Sequence, residues 1–245
     1  MGAKMVFFPE ASDYIAENRD QGIMLAQQVK QDKFLEKVQQ AAKEKNTWVS
    51  LGIHEKIESS DLPYNSNIVI NSEGKIVSTY RKLHLFNINI PNGPQLLESS
   101  SVLKGESIVP PVETPIGRLG SAICFDVRYP EFSNALRDMG AEGISYPSVF
   151  TEKTGAAHWD VLLRARAIEA QTYVYAAAQI GSHNSKRSSY GNSMIVDPWG
   201  NVIARCSSSS EPSVAIGEID LNYLETIRQQ LPVYNNKRFD IFQKF

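Results

Sequence analysis

The chain has 245 residues, which suits one large domain or two small ones with a sizeable buried core. Its net charge is −2, so the overall charge gives no support to a nucleic-acid-binding or membrane-surface protein. Two cysteines are too few for a disulfide framework and favour a reducing compartment.

Targeting and membrane signals are weak in this sequence. No apolar run approaches the roughly 18 residues that a membrane helix needs. The first ten residues hold a short strand-like run and lack the features of a signal peptide. We therefore expect a cytoplasmic protein with no membrane or nucleic-acid partner, or a mitochondrial form if a targeting segment precedes this sequence.

Strand-like runs alternate with amphipathic stretches along the chain. The patterns predict strands at residues 5–8, 48–53, 67–70, 76–80, 119–124, 143–146, 173–179, 193–196, 202–206 and 214–219. They predict helices at residues 32–45, 159–171 and 221–231, and a further helix from Pro130 to a cap at Gly140. Residues 207–210 are predicted to form a polar turn. The alternation, with several hairpins, predicts a layered α/β fold with a mixed sheet.

Cys124 ends the apolar run Gly120-Ser-Ala-Ile-Cys124 just before the predicted helix at Pro130. A cysteine at a tight strand-to-helix turn exposes its sulfur, and nearby backbone N–H groups point to where an oxyanion forms. The alternative is a buried core cysteine, which is the common role of a lone cysteine after an apolar strand.

Glu10 and Lys82 each follow a predicted strand, where α/β proteins place functional groups. Taken singly, each is typical of a solvated strand end. His84 offers a possible general base, but a supporting place in a hydrogen-bond network is the interpretation we favour.

The three residues make chemical sense together. A cysteine needs a base to become a nucleophile at neutral pH, and a glutamate can take the proton and return it to a leaving amine. A lysine ammonium and the backbone N–H of Phe125 can stabilise the oxyanion. This chemistry requires no histidine, metal or organic cofactor. The spacing of Glu10, Lys82 and Cys124 is too long to identify the trio by itself.

Three segments resemble the signatures of the nitrilase (carbon–nitrogen hydrolase) superfamily, in the right order. They are Phe8-Pro-Glu-Ala11, Tyr80-Arg-Lys-Leu-His84 and Ala122-Ile-Cys-Phe-Asp-Val-Arg-Tyr-Pro-Glu131. The resemblance implies that Glu10 is the base, Lys82 the cation and Cys124 the nucleophile. It also implies an α-β-β-α sandwich, with mixed sheets and helices on the outer faces, that assembles as a homodimer or higher homo-oligomer.

Many members of this superfamily carry a second active-site glutamate between the lysine and the cysteine. The resemblance places it at Glu98, in Leu96-Leu-Glu-Ser99. The alternative for Glu98 is a surface charge on a loop.

Further segments resemble the Nit branch of the superfamily. A first group, residues 154–160, 163–169 and 190–200, is similar to the branch as a whole. A second group, residues 176–179, 205–207, 219–222, 231–234 and 237–238, is more similar to deaminated glutathione amidase. This similarity implies metabolite repair, in which deaminated glutathione is cleaved to α-ketoglutarate and cysteinylglycine. The alternatives are omega-amidase action on α-ketoglutaramate or α-ketosuccinamate, and a catalytically silent interaction protein.

Arg128 lies four residues after the proposed nucleophile. Both candidate substrates carry an α-keto carboxylate, and a guanidinium binds a carboxylate in a bidentate way. We expect Arg128, helped by Thr154 and Tyr14, to hold that group. The alternative is a structural ion pair of Arg128 with Glu131 or Asp126.

The start of the chain departs from the superfamily pattern. Members usually have an extra strand and helix before the glutamate strand, whereas this sequence begins almost on that strand. We therefore expect residues 1–245 to form a single carbon–nitrogen hydrolase domain that lacks this unit. Its loss would expose a sheet edge or core face.

Overall fold

The computed structural model describes residues 2–28, 33–89, 95–207 and 211–241. Its strands and helices have the following bounds. The strands are β1 (Met5–Phe7), β2 (Gln27–Gln28), β3 (Trp48–Lys56), β4 (Tyr64–Ile70), β5 (Ile76–Arg81), β6 (Asn87–Asn89), β7 (Gln95–Leu97), β8 (Val112–Thr114), β9 (Gly117–Ser121), β10 (Gly143–Ser145), β11 (Tyr173–Ala176), β12 (Ile180–Asn184), β13 (Arg187–Tyr190), β14 (Met194–Val196) and β15 (Val202–Arg205). The helices are α1 (Arg19–Leu25), α2 (Lys33–Glu44), α3 (Pro130–Asp138), α4 (Glu152–Ala170) and α5 (Leu221–Gln230).

The two main sheets are both mixed. The first has the order β1-β3-β4-β5, with β2 also paired to β3; β1 and β2 run parallel to β3, and β3, β4 and β5 are antiparallel. The second has the order β15-β14-β11-β10-β9-β8 and is parallel from β9 to β11. Two small hairpins, β6-β7 and β12-β13, stand outside these sheets.

The side chains divide the molecule into four layers. Leu35 and Ala42 of α2 pack on alternate residues of β3 and β4, which form the outer face of the first sheet. Helices α3 and α4 cover the second sheet with Phe132, Trp159 and other apolar side chains. The inner faces of the two sheets meet in a separate apolar cluster. The predicted α-β-β-α sandwich is therefore confirmed.

A polar link between the sheets lies inside this sandwich. Asn67 of β4 donates from Nδ2 to the Ser121 hydroxyl at 3.3 Å and to the Ser145 hydroxyl at 3.1 Å. These two serines end the parallel strands β9 and β10. The link fixes the register of one sheet on the other at the strand ends that precede the Cys124 segment.

Several predicted elements need correction. Residues 214–219 form no strand; Val214 is 81% exposed and Ile216 57%, so these two apolar side chains are not buried against a partner. The strand predicted at 119–124 ends at Ser121, because a tight turn begins at Cys124. Helix α4 begins at Glu152 instead of residue 159, since the Thr151 side chain caps it.

Other differences are smaller. Helix α1 and the hairpin β12-β13 were not predicted, and β11 ends at Ala176. Residues 208–210 of the predicted polar turn lie outside the described residues. Within the described ranges, no helix is both long enough and apolar enough to cross a membrane.

Candidate active site

Glu10 lies directly after β1 and is held against β3. Phe8 donates its backbone N–H to Ser50 of β3 at 2.8 Å, and Gly52 donates to the Pro9 carbonyl at 3.2 Å. Gly52 makes this approach possible, because a Cβ added there would lie 2.6 Å from the Glu10 Cα. The Glu10 side chain is thereby buried between the sheets at their strand ends.

Lys82 follows β5 and is buried, with 2% of its side chain exposed. Its backbone N–H donates to the Asn65 carbonyl at 2.8 Å, and its carbonyl accepts from Gly105 at 2.8 Å. Its Nζ donates to Glu10 Oε1 at 2.8 Å and to both oxygens of Glu98 at 3.0 Å. A buried ammonium is tolerated here because two carboxylates surround it.

Glu98 lies in the 3₁₀ turn Glu98–Ser100 that follows β7. Besides Lys82, it accepts the backbone N–H of Phe86 at 2.6 Å and Nδ2 of Asn65 at 3.0 Å. Only 17% of its side chain is exposed. The structure therefore places Glu98 in the same cluster as Glu10, and the alternative of a surface charge is wrong.

Asn65, near the start of β4, is a site residue that sequence reasoning missed. Its Nδ2 donates to Glu10 Oε1 at 2.7 Å and to Glu98, so that one amide bridges the two carboxylates. The available signal was a run of small polar residues, Asn65 to Asn67, inside a strand whose other end is fully apolar.

Cys124 begins a 3₁₀ turn (Cys124–Arg128) with a φ of +45°, in the left-handed region that costs a non-glycine residue about 1–3 kcal/mol. Its backbone N–H donates to the Pro147 carbonyl at 3.0 Å, which anchors the turn. The thiol lies close enough to Glu10, Lys82 and the backbone N–H of Val149 for all three to act on its pKa. That N–H donates to Glu10 Oε2 at 2.8 Å.

Burial and charge set the protonation states of this cluster. Burial and the neighbouring Glu10 carboxylate raise the pKa of the Cys124 thiol well above its usual value, and Lys82 offsets only part of this. Burial alone would lower the pKa of Lys82, but Glu10 and Glu98 together hold it well above the usual range. For Glu98, burial opposes ionisation, yet Lys82 and the Phe86 N–H keep its pKa below the ordinary value. The resting site therefore contains a protonated thiol beside an ammonium and two acidic side chains.

The contacts of Arg128 place it beside two aromatic rings. Its guanidinium carbon lies 5.6 Å from the ring centre of Phe125 and 5.6 Å from that of Phe150. Phe125 follows Cys124, and Phe150 follows Val149. Among the described residues no ion pair involves Arg128, whose Nη2 instead lies 3.2 Å from Nδ1 of His158. The alternative, an ion pair of Arg128 with Glu131 or Asp126, is therefore wrong.

Thr154 and Tyr14 have hydrogen bonds within their own segments. Thr154 donates its backbone N–H to the Thr151 hydroxyl at 3.3 Å, in the first turn of α4. The Tyr14 hydroxyl donates to the Gly22 carbonyl at 2.9 Å, and its ring stacks on His54 at 4.2 Å. Substrate binding by Thr154 and Tyr14 stays a prediction, as does oxyanion binding by Phe125. Across the described ranges, no three His, Cys, Asp or Glu side chains are grouped to hold a metal ion.

Residues 1–229 match the model of the carbon-nitrogen hydrolase family. The chain belongs to this family. Among similar proteins, the Schizosaccharomyces pombe probable hydrolase nit2 is 50% identical over 98% of this chain and 87% of its own length. The human deaminated glutathione amidase is 48% identical over 99% of this chain and 74% of its own length.

Solved structures of related proteins agree with the fold of this carbon–nitrogen hydrolase. The Caenorhabditis elegans NitFhit protein has a TM-score of 0.92 at 48% identity, over 98% of this chain and 58% of that one. Saccharomyces cerevisiae Nit3, a member of branch 10 of the nitrilase superfamily, has a TM-score of 0.83 at 29% identity, over 96% of this chain and 83% of that one. The predicted membership of this superfamily is thus confirmed, and the chain is a hydrolase of carbon–nitrogen amide bonds.

Proposed function

We propose that this hydrolase is a thiol amidase in which Cys124 is the nucleophile, Glu10 the general acid and base, and Lys82 the oxyanion cation. The observation that carries the proposal is the placement of Glu10. Its carboxylate accepts from the Lys82 ammonium at 2.8 Å through Oε1 and from the backbone N–H of Val149 at 2.8 Å through Oε2, and its charge acts on the Cys124 thiol. A base beside the nucleophile, with a cation bound to that base, is the arrangement that acyl transfer needs.

The first half-reaction begins with a neutral thiol, because the pKa of Cys124 is raised. As the sulfur attacks the amide carbonyl carbon, its proton passes to Glu10. The carbonyl oxygen becomes an oxyanion, stabilised by Lys82 and by the backbone N–H of Phe125. Glu10 then gives the proton to the amide nitrogen, the carbon–nitrogen bond breaks, and the free amine leaves a thioester on Cys124.

The second half-reaction uses water. Glu10 takes a proton from the water as its oxygen attacks the thioester carbon, and the same donors stabilise the second oxyanion. The carbon–sulfur bond then breaks, the proton returns to the Cys124 sulfur, and a carboxylic acid is released. Glu98 keeps Lys82 protonated throughout, because its contact with Nζ raises the pKa of that group.

The substrate we propose is deaminated glutathione, which would yield α-ketoglutarate and cysteinylglycine as a metabolite-repair reaction. Two observations support it. Relatives that are named deaminated glutathione amidase share nearly half of their aligned residues with this chain. Arg128 also lacks an ion-pair partner among the described residues and lies beside Phe125, where it can hold the α-keto carboxylate.

The experiment is a product assay on the purified chain with deaminated glutathione, α-ketoglutaramate and intact glutathione. We expect release of α-ketoglutarate fastest from deaminated glutathione, and almost no cleavage of glutathione, which carries an ammonium where the substrate has a keto group. Faster turnover of α-ketoglutaramate would replace the proposal by omega-amidase activity. No turnover of either keto amide by folded protein would favour the silent interaction protein.

Assembly follows as a second proposal. The outer surface of α4 exposes Val161, at 69%, and Ile168, at 46%. Apolar side chains on the outer helix of a sandwich suit the stacking of a second copy, so we propose a homodimer or higher homo-oligomer. Light scattering of the parent and of a Val161→Asp, Ile168→Asp double variant tests this, because two buried carboxylates would separate the copies.

A further inference from the structure

Asp126 is a buried carboxylate that the proposed reaction does not use. It lies two residues after Cys124 and is fully buried. Its Oδ2 accepts the Tyr80 hydroxyl at 2.7 Å and the backbone N–H of Ile123 at 2.8 Å. Its Oδ1 lies 3.1 Å from the backbone N of His84 and 2.7 Å from the Nδ1 of the same residue. One side chain thus holds four hydrogen-bonding groups from three residues, two in the stretch from Tyr80 to His84 and one just before Cys124.

These partners lie next to the residues that do the chemistry. Tyr80 and His84 flank Lys82 on either side, and Ile123 directly precedes Cys124. Among the contacts described for Asp126, none reaches the Cys124 sulfur or the Lys82 ammonium. Asp126 therefore acts on the site through the backbone that carries these groups, not by touching the reacting atoms.

The Cys124 turn needs such a support, because its backbone is strained. Cys124 has a φ of +45°, and the strain persists only where the surrounding structure holds it. The Pro147 carbonyl anchors the backbone N–H of Cys124 at 3.0 Å. Asp126 anchors the N–H of Ile123, one residue earlier. Together they fix the two consecutive peptide groups through which the backbone enters Cys124.

We propose that Asp126 is a positioning residue that locks the turn of Cys124 to the segment of Lys82, so that the thiol stays within reach of the Glu10 carboxylate. The proposal rests on the proposed function, since it assumes that Glu10 takes the thiol proton. It adds a residue whose effect on the reaction is indirect.

Only a carboxylate satisfies this set of partners. Each oxygen of Asp126 faces one backbone N–H, from Ile123 or from His84, and a backbone N–H cannot reverse its role. An asparagine at this position has one oxygen and one NH₂ group. Whichever way its amide is turned, the NH₂ group would face the backbone N–H of Ile123 or that of His84. The Tyr80 hydroxyl and the His84 ring could adjust, but one buried N–H would still face a donor. Asp126→Asn therefore weakens the link without changing side-chain size.

The test measures alkylation of Cys124 by iodoacetamide between about pH 6.5 and about pH 9, followed by mass spectrometry, with Cys206 as the reference in the same chain. An unassisted thiol gains reactivity roughly tenfold per pH unit below its pKa, because only the thiolate reacts. In the parent we expect this slope for Cys206 and a nearly level profile for Cys124, since Glu10 takes the proton. In Asp126→Asn we expect the Cys124 profile to acquire the slope of Cys206.

Asp197→Asn is the matched control. Asp197 is also buried and accepts the backbone N–H groups of Trp199 and Asn201, but in the β14-β15 turn. Both of these N–H groups reach Oδ1, an oxygen that an asparagine keeps, so this variant should leave the Cys124 profile level. The positioning role would be overturned if Asp126→Asn folds and its Cys124 alkylation profile stays level. It would also be overturned if Asp197→Asn changes the Cys124 profile as much as Asp126→Asn does.

Two further arms remove ambiguity. If Asp126→Asn does not fold, Tyr80→Phe removes one of the four donors and should give a smaller change in the same direction; a level profile in that variant would also overturn the role. If instead the parent Cys124 profile already rises like that of Cys206, the general base of the proposed function fails, and the positioning role fails with it. If the Cys124 profile is level both in the parent and in Asp126→Asn, only the positioning role is wrong and the proposed function stands.

Discussion

The floor of the site and its rim are built differently. The site floor, which is Glu10, Asn65, Lys82, Glu98 and Cys124, is mostly buried and joined by hydrogen bonds of 2.7–3.0 Å between its charged and amide groups. The site rim is Tyr14, Phe125, Arg128 and Thr154, whose side chains are partly exposed. The hydroxyls of Tyr14 and Thr154 bond within their own segments. We infer that the floor determines the reaction and the rim determines the substrate.

The largest effect should come from the nucleophile of the site floor. Cys124→Ser should lose at least about a thousandfold in turnover while the protein stays folded, because a serine hydroxyl is far less acidic than a thiol. Steady-state kinetics and circular dichroism measure this. Cys206→Ser is the matched control and should behave like the parent. Comparable losses in the two variants would mean that the nucleophile is misassigned.

Asn65 tests whether the site floor works as one unit. Asn65→Asp keeps the shape but replaces a donor that bridges Glu10 and Glu98 with a third carboxylate. Each lost hydrogen bond to a charged group costs about 1.5–3 kcal/mol, so kcat/KM should fall roughly a hundredfold. Asn201→Asp is the control, since Asn201 also donates to a carboxylate, that of Asp197, away from the site. If Asn65→Asp is as active as this control, the residues of the site floor do not work as one unit.

Arg128 tests the site rim. Arg128→Lys keeps the charge but loses the bidentate contact, which should lower kcat/KM for an α-keto acid amide roughly ten- to a hundredfold. The analogue without the carboxylate should change little, because it never used that contact. If both substrates lose activity together and the melting temperature falls, Arg128 is structural. That outcome would remove the rim argument for a keto-acid substrate and leave the floor unaffected.

The smallest expected effect is a pH dependence. Glu10 and Glu98 hold the pKa of Lys82 well above 10.5, so its ammonium persists as the pH rises toward that value. The raised pKa of Cys124 also means that no thiolate forms through the ordinary thiol range near about 8.5. The profile of kcat/KM should therefore stay level from about pH 8 to about pH 10. A rise or fall centred in this range would contradict the assigned protonation states.

The same pKa of Lys82 predicts how stability changes with pH. Because the folded value is raised above the unfolded value, its contribution to the free energy of unfolding is fully present below the ordinary lysine range. It is lost only as the pH rises through the folded value. Denaturant unfolding at several alkaline pH values measures this for the parent.

Much of the floor was predictable from sequence, and the rim residues were also named from it, but the contacts of the rim residues were not predictable. Glu10, Lys82 and Cys124 lie in short sequence signatures that follow strands, and the pairing of those strands fixes the position of the backbone there. Asn65 was missed because a polar residue in a strand carries no local mark of its partners, which lie 55 and 33 residues away. Tyr14 and Thr154 were named for their chemistry, but their hydroxyl contacts depend on a short helix and a helix cap that were not predicted.

The fold shows the same limit. Helices α2 and α5 follow from their apolar periodicity, and β3 to β5 from apolar runs separated by turn residues. Residues 214–219 have a strand-like pattern but form no strand, because an apolar run becomes a strand only where a sheet edge pairs with it. Pairing is a tertiary property that a single segment does not contain.

The most direct test of the account is a search for the covalent intermediate on Cys124. Deaminated glutathione is mixed with the enzyme, the reaction is stopped with acid within the first turnover, and the digested chain is analysed by mass spectrometry. The account predicts a thioester-linked α-ketoglutaryl group on the peptide that contains Cys124, which disappears as α-ketoglutarate accumulates. Product formation with no such group on Cys124, or with the group on Cys206 instead, would contradict it.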